Sequence, residues 1–221
     1  MHPFKMKELL HEFLENGMTI SIGTGDLSYS FIKQLAFKLL EERLQVKVIP
    51  SSVEQAILLH DLKIPLASLN DNEVDFAVMF ADRCNKGKDF VKTDSHCLII
   101  DKMIANSAEH LIVISHLNGF VSKLNGWIPF EVSGFGFKRT EAALMNLGVV
   151  KMREKNHQPL KTLDGNLLMD VNVNNDYSLQ DIDWISKKTP GVLENGLFLD
   201  LATEVIVFHD KVSHKLVRIK K

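Results

Sequence analysis

The sequence predicts an α/β protein: a doubly wound, mostly parallel sheet with a second, smaller α+β lobe. Two observations carry that expectation. From Phe4 to Ser115, short apolar runs of strand length alternate with amphipathic helical patterns. After Pro129 the alternation changes, and strand-like runs bracket helical ones. The expected division is 1–128 plus 203–221 for the main domain and 129–202 for the small lobe.

The elements follow in order. Phe4, Leu9, Leu10 and Phe13 recur at helical spacing, and Gly17 is a natural stop. Met18 to Ile22 is an apolar run ending in Gly23-Thr24-Gly25, the form of a buried parallel strand entering a turn. Phe31 to Leu44 reads as a helix and Val46 to Ile49 as a strand. Ser51-Ser52 precedes a helix over Val53 to Leu62, where a hydroxyl can accept from first-turn amides. Val74 to Met79 and Leu111 to Ser115 are two more strands, separated by a helix through Asp101. In the lobe, strands at Val149 to Arg153 and Leu167 to Val173 bracket helices at Lys138 to Leu147 and Leu179 to Lys187. Glu204 to Phe208 and Leu216 to Ile219 read as strands returning to the main domain.

Composition narrows the function classes. The chain has 221 residues, 45% of them hydrophobic and 24% charged, which supports a sizeable core and argues against disorder. A net charge of -2, spread without single-sign blocks, marks no nucleic-acid or membrane surface. Cys84 and Cys97 form neither a metal spacing nor a disulfide framework, so both are expected as free thiols. Lys5, Lys7 and Glu8 open the chain without an apolar signal core, and a cytoplasmic protein is expected. The nine histidines lack zinc spacing; His209 and His214 are expected at the surface, and no metal site is expected. Trp127 and Trp184 are expected in the core or at an interface. Gly23-Thr24-Gly25 lacks the third glycine of a dinucleotide fingerprint.

Five segments fall in one familiar order: Ile22-Gly23-Thr24-Gly25; Met79-Phe80-Ala81-Asp82-Arg83 with Lys92-Thr93-Asp94-Ser95 and Asp101-Lys102; Pro129-Phe130-Glu131-Val132; Asp164-Gly165-Asn166 with Asp170; and Thr189-Pro190-Gly191-Val192. Together they resemble the type A ribose-5-phosphate isomerases across nearly the whole chain. The resemblance implies isomerisation of ribose 5-phosphate to ribulose 5-phosphate without a cofactor, in a homodimer or homotetramer. A base takes the proton from carbon 2 and returns it to carbon 1, while donors stabilise the enediolate. Asp101 stands at the family's basic Glu, one methylene shorter. Lys92 matches the stabilising lysine, and Asp82 matches the second aspartate of the turn.

Other positions depart from the family pattern. Met79 replaces the first aspartate, Arg83 a glutamate, and Thr93-Asp94-Ser95 a run of glycines. A further family lysine has no counterpart near Asn118-Gly119. Asp26-Leu27 replaces Ser-Thr at the phosphate turn of Gly23, Thr24 and Gly25, where Asp26 would repel phosphate and could cap the following helix itself. Arg83 is a candidate for holding an anion. The expectation is an isomerase-like protein with a depleted site; the alternative is an inactive paralogue that binds a phosphosugar or another small anion.

Overall fold

The computed structural model describes residues 3–208 and 217–220. His209, His214 and Leu216 lie outside the described residues. The chain begins with α1 (Pro3–Phe13), β1 (Thr19–Ile22), α2 (Ser28–Glu42), β2 (Lys47–Pro50), α3 (Val53–Asp61) and β3 (Val74–Ala81). Two short strands, β4 (Arg83–Cys84) and β5 (Phe90–Val91), precede α4 (Leu98–Ser107) and β6 (Ala108–His116). Then come β7 (Gly126–Val132), α5 (Phe137–Leu144), β8 (Gly148–Met152), β9 (Glu154–Lys155), β10 (Gln158–Pro159), β11 (Leu167–Val173) and α6 (Leu179–Lys188). The last strands are β12 (Val192–Asn195), β13 (Leu197–Phe198), β14 (Glu204–Phe208) and β15 (Val217–Lys220).

The main sheet has the order β15-β14-β6-β3-β1-β2. All its pairings are parallel except that of β15, which runs antiparallel along β14. A parallel sheet covered on both faces needs strands that are apolar throughout, and β3 meets that need: Val74, Phe76, Ala77, Val78 and Met79 are all buried. Its side chains alternate between two clusters. Phe76, Val78 and Phe80 pack with Ile20, Phe31 and Leu35, whereas Ala77, Met79 and Ala81 pack with Ile104, Val113 and Val205.

A second, antiparallel sheet has the order β12-β7-β11-β8 and carries a third core around Phe130, Met169 and Leu144. A small sheet, β13-β5-β4, joins the two regions, and Phe90 stacks on Phe198 with ring centroids 4.6 Å apart. That small sheet, the β9–β10 hairpin, β7 and β12 were not expected from the sequence. β4, β5, β9, β10 and β13 have two residues each and leave no periodicity to read. Trp184 is 63% exposed and so does not belong to the core.

In open α/β sheets, ligands bind beyond the carboxyl ends of the strands. Here those ends deliver Gly23 after β1, Ser51 and Ser52 after β2, Asp82 after β3 and His116 at the end of β6. Ser52 caps α3 by accepting from the Gln55 amide at 3.2 Å.

Candidate active site

A cavity of about 1010 Å³ opens at those strand ends. Its wall draws on Thr24 to Tyr29, on Asp82 beside β3, on Lys92 with Asp94 to Cys97, and on Leu160 to Leu163 from the antiparallel lobe. The floor is a close contact of backbone and cation. A Cβ at Gly23 would lie 3.1 Å from both Lys92 Nζ and Met79 Cγ. Gly25, at φ +150°, would drive a Cβ to 2.9 Å from Phe80 Cβ. Met79 is fully buried and packs in the core beneath this floor.

Lys92 and Asp101 form the centre. Lys92 Nζ lies 2.7 Å from Asp101 Oδ2, with the side chains 2% and 0% exposed. The ammonium also donates to the Thr24 carbonyl at 3.0 Å. Two hydroxyls donate to the same carboxylate oxygen, Ser95 Oγ at 2.8 Å and Thr24 Oγ1 at 3.2 Å. Asp101 Oδ1 is buried without a hydrogen-bond partner among the described residues. Lys92, Thr24 and Ser95 line the cavity, whereas Asp101 stands one layer behind them. A cation and two hydroxyls on one oxygen make a charge-assisted cluster strong enough to hold a buried carboxylate.

Asp82 is on the rim. Its Oδ2 accepts from the amides of Thr93 and Asp94, which shapes the turn over residues 93–95. Partial loss of water raises its carboxyl above the ordinary range, and Asp94 adds to this, while the Thr93 amide and Lys92 pull it down. Arg83 does not face the cavity. Its guanidinium donates to the backbone carbonyls of Asn125 and Trp127, pairing with neither Asp82 nor Asp94. Arg83 is therefore not presented to an anion in the cavity, contrary to the expectation.

Asp26 lines the cavity at the start of α2, but it does not cap the helix. The capping position falls on Leu27, with no side-chain hydrogen bond to the first turn. Gly25 has already turned the chain, and its carbonyl accepts from the Ser28 amide at 2.9 Å. Asp26 is thereby placed outside the capping position, and the helix start remains open to the cavity. Such an end attracts anions through its amides and dipole.

Sequence reading missed three contributors. Arg153, at the end of β8, donates to the carbonyls of Ser95 at 2.9 Å and Thr93 at 2.7 Å while pairing with Asp170. Glu131 is fully buried; it accepts from the Ile99 amide in the first turn of α4 and from Asn166 Nδ2. Ser95 was visible only as a lost glycine. Nothing in local spacing tells that Arg153 reaches the 93–95 turn or that Glu131 reaches α4, because these contacts join segments far apart in the chain. Cys97 is also on the wall; burial, with the Asp101 charge, pushes its thiol up to about 12. Among the described residues, no group of three or more His, Cys, Asp or Glu could hold a metal ion. None of the helices there is long and apolar enough to cross a membrane.

Comparison with known proteins decides the family. Residues 47–211 match the model for ribose 5-phosphate isomerase A (phosphoriboisomerase A). The chain belongs to the ribose 5-phosphate isomerase A family. It is 33% identical over 199 residues to the ribose-5-phosphate isomerase A of Bacillus mycoides, spanning 88% of this chain and 90% of that one. The Prochlorococcus marinus enzyme is 32% identical over 202 residues, spanning 88% and 86%. Among solved structures, ribose 5-phosphate isomerase A of Methanocaldococcus jannaschii superposes with a TM-score of 0.88 at 28% identity, over 99% of this chain and 98% of that one. The Plasmodium falciparum ribose 5-phosphate isomerase gives 0.92 at 21% identity over 99% and 97%, a match of fold.

Proposed function

We propose that the chain interconverts ribose 5-phosphate and ribulose 5-phosphate, with Asp101 as the base and Lys92 as the cation that stabilises the enediolate. The observation that carries this reading is the Lys92–Asp101 pair, 2.7 Å apart and buried against the wall of a cavity that also receives an uncapped helix start. One end offers amides for a phosphate, and the other offers a carboxylate and an ammonium for proton transfer. Thr24 and the glycines beside it hold the sugar phosphate, and Asp82 keeps the Thr93-Asp94 turn in shape. A solved D-ribose-5-phosphate isomerase 28% identical to this chain is in complex with phospho-erythronic acid, a phosphorylated sugar acid. That pairing of a phosphate with an oxygen-rich end suits the two ends of this cavity.

A second reading, phosphosugar binding without turnover, is favoured by one feature: Asp101 stands behind the wall rather than on it. A ketose-formation assay on ribose 5-phosphate separates the two. Turnover by the parent chain, abolished by Asp101→Asn, supports the isomerase; a thermal shift with ribose 5-phosphate and no ketose supports the binding protein. The family reading also carries a cytoplasmic homodimer or homotetramer, which sedimentation checks, and the division into 1–128 plus 203–221 and 129–202.

A further inference from the structure

We propose that the Ser95 hydroxyl relays protons between the sugar and Asp101, a catalytic role that rests on the isomerase reading above. The starting point is the gap that reading leaves: Asp101 is fully buried behind the cavity wall, yet a base must reach its proton directly or through one intervening group. Among the described residues, three groups both line the cavity and touch the carboxylate: Lys92, Thr24 and Ser95. Lys92 is the cation. Thr24 Oγ1 is the more distant hydroxyl and lies 3.5 Å from the Lys92 ammonium, which opposes the uptake of a proton.

Ser95 is the better placed of the two hydroxyls. Its oxygen accepts from the Cys97 amide at 3.1 Å, and its hydrogen points to Asp101 Oδ2 at 2.8 Å. One lone pair is left for the cavity side. Its backbone is fixed by Arg153, so the hydroxyl is presented by a clamped turn.

The step balances without a co-reactant. The C2–H bond breaks and its proton goes to Ser95 Oγ, while the proton already on Oγ passes to the Asp101 carboxylate. The electron pair of the C–H bond becomes the C1=C2 bond of the enediolate, whose oxygen charge faces Lys92. Loss of the negative charge on Asp101 frees the ammonium for that oxygen. Reversal of the same path delivers the proton to carbon 1.

The test compares steady-state kinetics of the parent with Ser95→Ala, Ser95→Thr and Asp101→Asn, with melting curves for each. Expected are a kcat loss of about a hundredfold or more in Ser95→Ala with KM within about threefold, and activity largely retained in Ser95→Thr. A longer carboxylate needs no relay, so Asp101→Glu added to Ser95→Gly is expected to recover turnover that Ser95→Gly alone loses. This pair also serves if Ser95→Ala does not fold. Ser95→Ala within threefold of the parent while Asp101→Asn is dead overturns the relay and leaves Asp101 as base. Full activity in Asp101→Asn, or none in the parent, overturns both.

Discussion

Two stretches line the same cavity and are built differently. Residues 23–29 make their end from backbone: two glycines in tight contact with Lys92, Met79 and Phe80, and a helix start with no side chain on its amides. Residues 92–101 make their end from side chains, a buried ion pair whose carboxylate accepts from the Ser95 hydroxyl and from that of Thr24, the one side chain the first stretch lends it. A backbone site tolerates side-chain change, because a substitution at residue 26 or 27 leaves the amides where the fold puts them. A side-chain site does not, because Asp101 takes its hydrogen bonds from Lys92, Ser95 and Thr24 and a change in any of them must be answered by a neighbour.

The largest effect is expected where the side-chain end loses its cation. Lys92→Met leaves Asp101 buried and unpaired and should cost about 3–5 kcal/mol in urea unfolding, together with all turnover. Arg153→Ala strands Asp170 and two carbonyls of the 93–95 turn. It should cost about 2–3 kcal/mol in the same measurement and raise KM. If either variant unfolds like the parent, the side-chain end is less interlocked than its distances imply.

The backbone end should respond more gently. Asp26→Ser with Leu27→Thr removes a like charge without moving the amides. Inorganic phosphate is expected to bind about three- to tenfold tighter, read as a larger thermal shift. Equal shifts in the two proteins would show that Asp26 does not repel the anion. The smallest effect concerns Cys97. Its thiol is ordinary in the unfolded chain, near 9.0, and pushed up to about 12 in the folded one, so the folded state keeps a proton that the unfolded state loses. Stability from this group is complete below pH 9 and declines as pH rises towards 12, a decline that Cys97→Ser should lessen. Below pH 8, thiol reagents should label the native chain slowly.

The parallel framework was legible in the sequence because its signals are local. The expected runs Val74 to Met79 and Leu167 to Val173 match β3 (Val74–Ala81) and β11 (Leu167–Val173) closely, and Ser52 caps its helix as a hydroxyl there should. Helix ends slipped by two or three residues where apolar spacing outlasts the helix: Leu44 continues the pattern of α2, yet Arg43 has already turned left-handed at φ 54°. At the site, Lys92 and Asp101 are singled out only by the family resemblance, not by any local pattern. The direction of Arg83, the empty cap beside Asp26 and the contacts of Ser95, Glu131 and Arg153 could not be read from the sequence. Arg83, Glu131 and Arg153 depend on where groups far along the chain come to lie, and the cap depends on the turn made at Gly25; no apolar pattern records either.

Proton exchange tests the centre of this reading most directly. Ribose 5-phosphate incubated with the protein in deuterium oxide, followed by proton NMR, reports whether carbon 2 gives up its hydrogen. The expected result is loss of the carbon 2 signal with the parent chain and no loss with Asp101→Asn or Lys92→Met. A carbon 2 signal that persists with the parent, or exchange as fast in Asp101→Asn, would contradict it.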